Sequence, residues 1–291
     1  MEDALQTPKS RIEWEKAITY LLLHGSCLAA FWVGVSKTAI AVAVVLYVAR
    51  MFFITGLYHR YFSHRAFKTS RVAQFIFALL GCTAGQRGPI WWSSHHRHHH
   101  RYSDQANDIH SPHQDTLLES HMSWFLRAEN ARLKPQYVKD WLRYPELVWL
   151  EKWELLPFVG LAVMLFVLGK GLAIAAPQLE TNGWQLLTWG FAISTVAVYH
   201  ATYTINTFAH LWGSRRFATN DHSRNNGFLA LLTMGEGWHN NHHWYPSSAS
   251  QGLKWWEVDF SFYILRVLAA LGIIWELRSY PAVPSTSLQQ D

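Results

Sequence analysis

The sequence is poor in charge: only 15% of its 291 residues are Asp, Glu, Lys or Arg, against roughly 25% in soluble globular chains. Cysteine is nearly absent. Cys27 and Cys82 both lie in apolar runs without CxxC or zinc-finger spacing, which excludes a disulfide framework and a thiolate metal site. Net charge is +5, yet no Lys/Arg run of the kind that grips phosphate backbones occurs, so no nucleic-acid partner is expected. Repeats, low-complexity tracts and the HExxH motif of zinc hydrolases are also missing. No soluble redox domain is legible, and electrons, if needed, are expected from a separate protein.

Aromatic residues reach 15%, with 16 Trp, and 17 residues are His. Mean hydropathy is −0.03, too low for a chain embedded throughout, so the apolar residues must be concentrated in spans beside a large polar portion. Disordered and collagenous classes are excluded. Four runs approach the roughly 20 residues that cross a hydrocarbon core: Ala17–Val35, Thr38–Leu57, Leu155–Ala176 and Trp184–Ile205. Short turns join them into two hairpins. The first run is too long, and lacks the cleavage site, for a removable signal peptide. Val72–Ala84 is apolar but short, and reads as a buried or interfacial helix; 260–278, broken by Arg266 and Glu276, reads as a helix capping the polar region.

Lys and Arg number 3 in residues 1–16, 13 in 58–154 and 6 in 206–291, against Lys37 alone in the first hairpin turn and none in 177–183. The positive-inside rule then puts both termini and the polar segments 58–154 and 206–278 in the cytoplasm. The expected fold is an all-α integral membrane protein, a single domain over 1–291, with four transmembrane helices in two hairpins and a cytoplasmic helical domain. Arg50, inside the second span, should either face protein or snorkel to an interface.

The histidines cluster in those cytoplasmic segments. His59 and His64 follow the second span; on an α-helix, residues five apart lie about 140° from each other, so the pair is expected to grip a metal where the helix ends. His96, His99 and His100 have HxxHH spacing, which gathers three imidazoles on one helix face. His239, His242 and His243 repeat it, and His210 lies one turn beyond Asn206 at the inner end of the fourth span. His95 and His98 fall off the shared face. Interfacial histidines or a tag-like run would not recur as a second HxxHH far along the chain. Imidazole suits zinc, copper, iron and nickel, but nine nitrogens exceed one ion, and without HExxH a redox-active iron pair fits better than a zinc hydrolase. The set contains no Cys and no obvious carboxylate.

In order and spacing these motifs resemble the membrane fatty-acid desaturases of the acyl-CoA Δ9, stearoyl-CoA desaturase-like group, in a bacterial-type form without fused cytochrome b5. HxxxxH after the second span, HxxHH, NxxxH and Gly235-Glu-Gly-Trp-His-Asn-Asn-His-His243 occur in the family's order, and the resemblance extends to about Arg278. It implies that the nine histidines bind two Fe ions, and that Asn206 reaches one through water. By the same resemblance, Gln86, Trp92 and Thr202 shape the bend of a substrate tunnel. The implied reaction uses O2 to place a cis double bond, at Δ9, in a saturated acyl chain. The implied partners are an acyl-CoA or acyl-lipid substrate, membrane lipids, and a ferredoxin, rubredoxin or cytochrome b5 type donor with its reductase. The implied place is a bacterial inner membrane with the active site cytoplasmic. The pattern departs at Ser94 and His95, where the acyl-CoA enzymes carry Arg-Asp against the coenzyme, and at Arg87, where they carry Asn. CoA, acyl carrier protein and glycerolipid therefore stay open as carriers. His113 and His121 match positions that support rather than ligate. An acyl hydroxylase, acetylenase or decarboxylase on the same scaffold is the alternative, and a metal transporter a more distant one.

Overall fold

In the computed structural model, residues 10–282 and Leu288 are described, and the expected cytoplasmic termini themselves lie outside them. Helix α1 (Trp14–Val33) tightens into one 3-10 turn at Cys27–Ala29. After the turn at Gly34–Ser36, the Ser36 hydroxyl accepts from the Ala39 amide (3.1 Å) and starts α2 (Lys37–Ser63). Helices α3 (Arg71–Cys82), α4 (Pro89–Tyr102) and α5 (Pro145–Lys152) follow. Next come α6 (Leu155–Ala175) and α7, residues 183–211, started by the Asn182 cap on the Gln185 amide (3.0 Å). The last three are α8 (Gly227–Leu232), α9 (His239–Trp244) and α10 (Phe260–Ala270).

Helices α1, α2 and α6 are long and apolar enough to cross a membrane. They leave Phe31, Val45, Val167 and Ile174 more than half exposed, as side chains facing lipid would be. The expected fourth run, 184–205, is helical within α7, but Gln185, Thr188, Ser194 and Thr195 lower its hydropathy, and all four are buried. Arg50 of α2 explains two of these. Its fully buried guanidinium donates to the Ser194 hydroxyl, to Thr195 Oγ1 (2.6 Å) and to the Leu46 carbonyl (3.3 Å), so it faces protein. Helices α6 and α7 meet closely at Gly183, where a Cβ would stand 2.7 Å from the Phe166 carbonyl oxygen.

The apolar run Val72–Ala84 forms α3, too short to span, packed on the end of α2. The expected helix over 260–278 stops at Ala270. The chain turns at Gly272, and Ile274–Trp275 (β2) pairs antiparallel with Lys68–Thr69 (β1), Lys68 opposite Trp275. That ribbon is the exception to an otherwise helical fold among the described residues, and it ties the C-terminal segment to the loop after α2.

Candidate metal centre and acyl cavity

The two imidazoles at the end of α2 meet for a reason that helical periodicity of 3.6 does not anticipate. Phe53–Ser63 winds as a π-helix, with the His64 amide donating to the His59 carbonyl five residues back (3.2 Å). The wider turn brings the rings to 4.8 Å between centroids, so the 140° separation expected of an α-helix does not arise. Tyr58 holds this winding against α3: at Gly81 there is no Cβ, and one would overlap its ring at 1.9 Å. Helix α4 is anchored at its N-terminus by carboxylates from beyond its own segment. Glu151 accepts from the Ile90 and Trp91 amides (2.9 and 3.0 Å), and Glu154 from that of Gly88 (2.6 Å), meeting donors that no intrahelical carbonyl can reach.

All nine sequence-selected histidines converge into two groups, and within each the donor atoms lie within 4.8 Å of one another. One contains His59, His64, His96, His100 and His242; the other His99, His210, His239 and His243. Each HxxHH is thus divided. The i, i+4 pairs His96/His100 and His239/His243 stay together, while His99 and His242 cross to the opposite group. The Nε2 atoms approach closely: His64 to His96 2.8 Å, His100 to His242 2.9 Å, His59 to His242 3.0 Å and His210 to His239 3.1 Å.

Four carboxylates turn the rings inward. The Nδ1 atoms contact Glu236 from His59 (2.5 Å), Asp108 from His99 (2.9 Å), Asp104 from His210 (2.8 Å) and Asp221 from His243 (2.7 Å). A proton on Nδ1, held by a carboxylate, leaves the Nε2 lone pair free for a metal. Buried His243 Nε2 has no hydrogen-bond partner, as a metal-ligating nitrogen lacking its ion would not. Burial, reinforced by neighbouring imidazoles, holds His64, His96, His100, His239 and His242 well below the usual imidazole range, hence neutral. Burial pulls His99 down as well, but Asp108 outweighs it and raises that ring. Asp104, Asp108 and Asp221, which burial alone would raise, are held below the carboxylate range by their histidines.

Sequence reading found the imidazoles and missed these carboxylates. Glu236 stood inside a quoted motif without a role, and Asp104 and Asp108 lie in the loop after α4, where spacing carries no signal. Of the supporting histidines, His113 Nε2 lies 3.1 Å from the His210 carbonyl oxygen and His98 Nε2 2.8 Å from that of Asn107. His121 Nε2 meets His200 Nδ1 at 3.0 Å, away from both groups.

A cavity of about 570 Å³ leads to the histidines. It is lined near its mouth by Lys16 and Thr19 of α1, Arg87, and Glu154 and Phe158 at the start of α6, and farther in by Tyr199, Tyr203, His96 and Asn206. Gln86, Trp92 and Thr202 all line it and are bonded to one another: Gln86 Nε2 donates to Thr202 Oγ1 (3.0 Å), and Trp92 Nε1 to Gln86 Oε1 (3.4 Å). A second space of about 50 Å³ shares Trp92, His96, Thr202 and Asn206 with it and continues past His59 and His239 to Met51 and Thr55.

A helical fold with membrane-length helices, and two buried histidine groups suited to hold metal beside a mostly apolar cavity, is the arrangement of a membrane-associated metalloprotein. The profile of the fatty acid desaturase family matches residues 36–273, and the chain belongs to that family. It is 35% identical over 272 residues to Delta-9 acyl-lipid desaturase 1 of Arabidopsis thaliana, covering 92% of this chain and 84% of that one. To the sn-2 palmitoyl-lipid 9-desaturase of Nostoc sp. (strain 36) it is 32% identical, over 95% and 94%. To the icosanoyl-CoA 5-desaturase of Limnanthes douglasii it is 33% identical, over 89% and 70%. The protein is accordingly an acyl desaturase, an oxidoreductase of lipid metabolism.

Proposed function

We propose that the protein uses O2 to introduce a cis double bond at Δ9 of a saturated acyl chain carried by a membrane glycerolipid. The observation that carries this reading is the convergence of nine histidines, in groups of five and four, on the inner end of the acyl cavity. His59, His64, His96, His100 and His242 would hold one iron and His99, His210, His239 and His243 the other, with Asn206 reaching one through water. Such a pair supplies the dioxygen activation needed to take two hydrogens from adjacent methylenes.

Everything else falls to the protein. Successive methylenes are chemically almost identical, so only position selects one pair. The bonded trio Gln86, Trp92 and Thr202 stands where the cavity meets the histidines and bends the chain there. The neighbouring space toward Met51 and Thr55 takes the methyl end.

For the carrier, the mouth supplies the argument. Arg87 is ion-paired to Glu154 (2.7 Å) and Lys16 to Glu13, so both cations at the mouth already have a carboxylate partner. The mouth also lies between two membrane-length helices, within reach of a bilayer lipid. The 9-desaturases of lipids among the relatives support both position and carrier. In this reading the chain is one domain crossing a bacterial inner membrane four times, α7 included. The histidines face the cytoplasm, where a ferredoxin, rubredoxin or cytochrome b5 type protein delivers electrons.

Expression in a bacterium lacking an aerobic desaturase, followed by gas chromatography–mass spectrometry with derivatisation, tests this. A new cis-Δ9 monoene should form, depend on oxygen, and vanish in His99→Ala and His242→Ala. Hydroxylated, acetylenic or shortened products would sink the desaturation reading. Product from either variant would remove that residue from the metal set.

A further inference from the structure

Between the mouth of the cavity that reaches the histidines and its bend stands a group of side chains outside the nine, one of which, His110, also stacks on the His99 ring at 4.3 Å. Trp91 and His95, one turn apart on α4, stack at 4.2 Å between centroids. Trp124 stacks on Trp91 at 5.8 Å and packs against His110 at 4.9 Å. His95, Trp124 and His110 all line the cavity, and all are more than nine-tenths buried. Each nonetheless carries a polar atom without a partner: His95 Nε2, Trp124 Nε1 and His110 Nδ1.

Three such atoms in one wall of one cavity are costly unless something fills them. The His95 Nδ1–H is directed at the Trp91 carbonyl (2.9 Å), which leaves Nε2 as an acceptor. Indole Nε1–H is a donor only. The wall therefore asks for an acceptor opposite Trp124 and for a donor, such as a bound water, opposite His95. Methylenes offer neither. The one hydrogen-bonding part of a long acyl substrate that would reach this depth is the carbonyl that joins it to its carrier. Location agrees: Trp124 belongs to the turn Trp124–Leu126, whose Leu126 carbonyl accepts from Glu13 (2.9 Å) at the start of α1, on the mouth side of the bend.

We propose that Trp124, His95 and His110 form a subsite for the acyl linkage, in which the Trp124 indole N–H donates to the substrate's carbonyl oxygen and a water bridges the linkage to the histidines. The subsite fixes the carboxyl end, and the fixed distance from there to the bend sets the number of carbons before the double bond. This rests on the desaturase reading, since the same cavity must admit an acyl chain.

Binding, without turnover, tests it. The full-length protein in detergent is titrated with two radiolabelled pairs: dipalmitoyl phosphatidylglycerol against its dihexadecyl ether, and palmitoyl-CoA against hexadecyl-CoA. The second member of each pair lacks the carbonyl. Wild type should bind the carbonyl-bearing member of at least one pair about ten-fold more tightly, the pair concerned identifying the linkage as ester or thioester. Trp124→Phe should bring that ratio to about one while leaving the carbonyl-free probe's affinity and the melting midpoint unchanged. In turnover it should raise KM more than it lowers kcat and spread the double bond over adjacent positions. Binding without discrimination in wild type, or full discrimination in Trp124→Phe, overturns the subsite, and the wild-type ratio decides even if the variant does not accumulate. Absence of binding by every probe would overturn the acyl-substrate reading itself.

Discussion

At the scale of single residues, the centre depends as much on four carboxylates as on nine imidazoles. Asp221 Oδ2 lies 2.7 Å from His243 Nδ1, the contact that leaves His243 Nε2 bare in the buried site. Asp221→Ala should therefore lower metal affinity about 10–100-fold while the chain still folds. Metal content by plasma mass spectrometry after dialysis against graded chelator checks this, and wild-type retention would refute the orienting role. The buried imidazoles also set a pH dependence. Five of them titrate below the usual value of 6.5 in the folded chain, so below about pH 6.5 the unfolded chain binds more protons. Stability of the metal-free protein should be complete above that pH and fall progressively beneath it. Glu151, pushed up to about 7 by burial and by Glu154, works the other way between about pH 4.5 and 7, and so does His99, raised by Asp108, but they are two groups against five. Melting midpoints of the metal-stripped protein from about pH 5.5 to 7.5 should rise; a flat or falling profile would contradict this.

At the scale of elements, the π-wound end of α2 decides whether His59 and His64 act together. Its shape is imposed by contact, since the Tyr58 ring occupies the space a side chain at Gly81 would need. Gly81→Val should displace Tyr58, lower stability by about 1–3 kcal/mol and reduce bound metal. An unchanged melting midpoint with full metal content would show that α3 does not hold the winding. This is also where the sequence was hardest to read. His59 and His64 were recognisable from spacing and resemblance, but a period of 3.6 places them on different faces, and π-winding leaves no periodic trace. The HxxHH motifs were legible because an α-helix repeats them faithfully. Their division between two groups was not, because it depends on how α4 and α9 face each other. Asp104, Asp108 and Asp221 lie in loops, where no period applies. The end of the helix at Ala270 was hidden for a related reason: apolar composition continues through Ile273–Trp275, and only pairing with Lys68–Thr69 makes those residues a strand.

At the scale of the whole molecule, α1, α2 and α6 were legible from long apolar runs alone, whereas α7 is ambiguous by composition because its polar side chains are spent on neighbours such as Arg50. If α7 also crosses, the turn between α6 and α7 lies on the face opposite the histidines. In a background with Cys27 and Cys82 replaced, Leu179→Cys should react with an impermeant maleimide added outside intact cells, and Trp255→Cys only after lysis. The reverse pattern would invert the topology.

The division of the histidines governs the order of biogenesis. The group of five needs His242 and the group of four needs His239 and His243, so neither is complete until α9 has left the ribosome. By then α1, α2 and α6 have already been synthesised. A nascent chain stalled before residue 239 carries six of the nine imidazoles, four of the first group but only His99 and His210 of the second, so the group of four is the site whose metal loading waits for the end of synthesis.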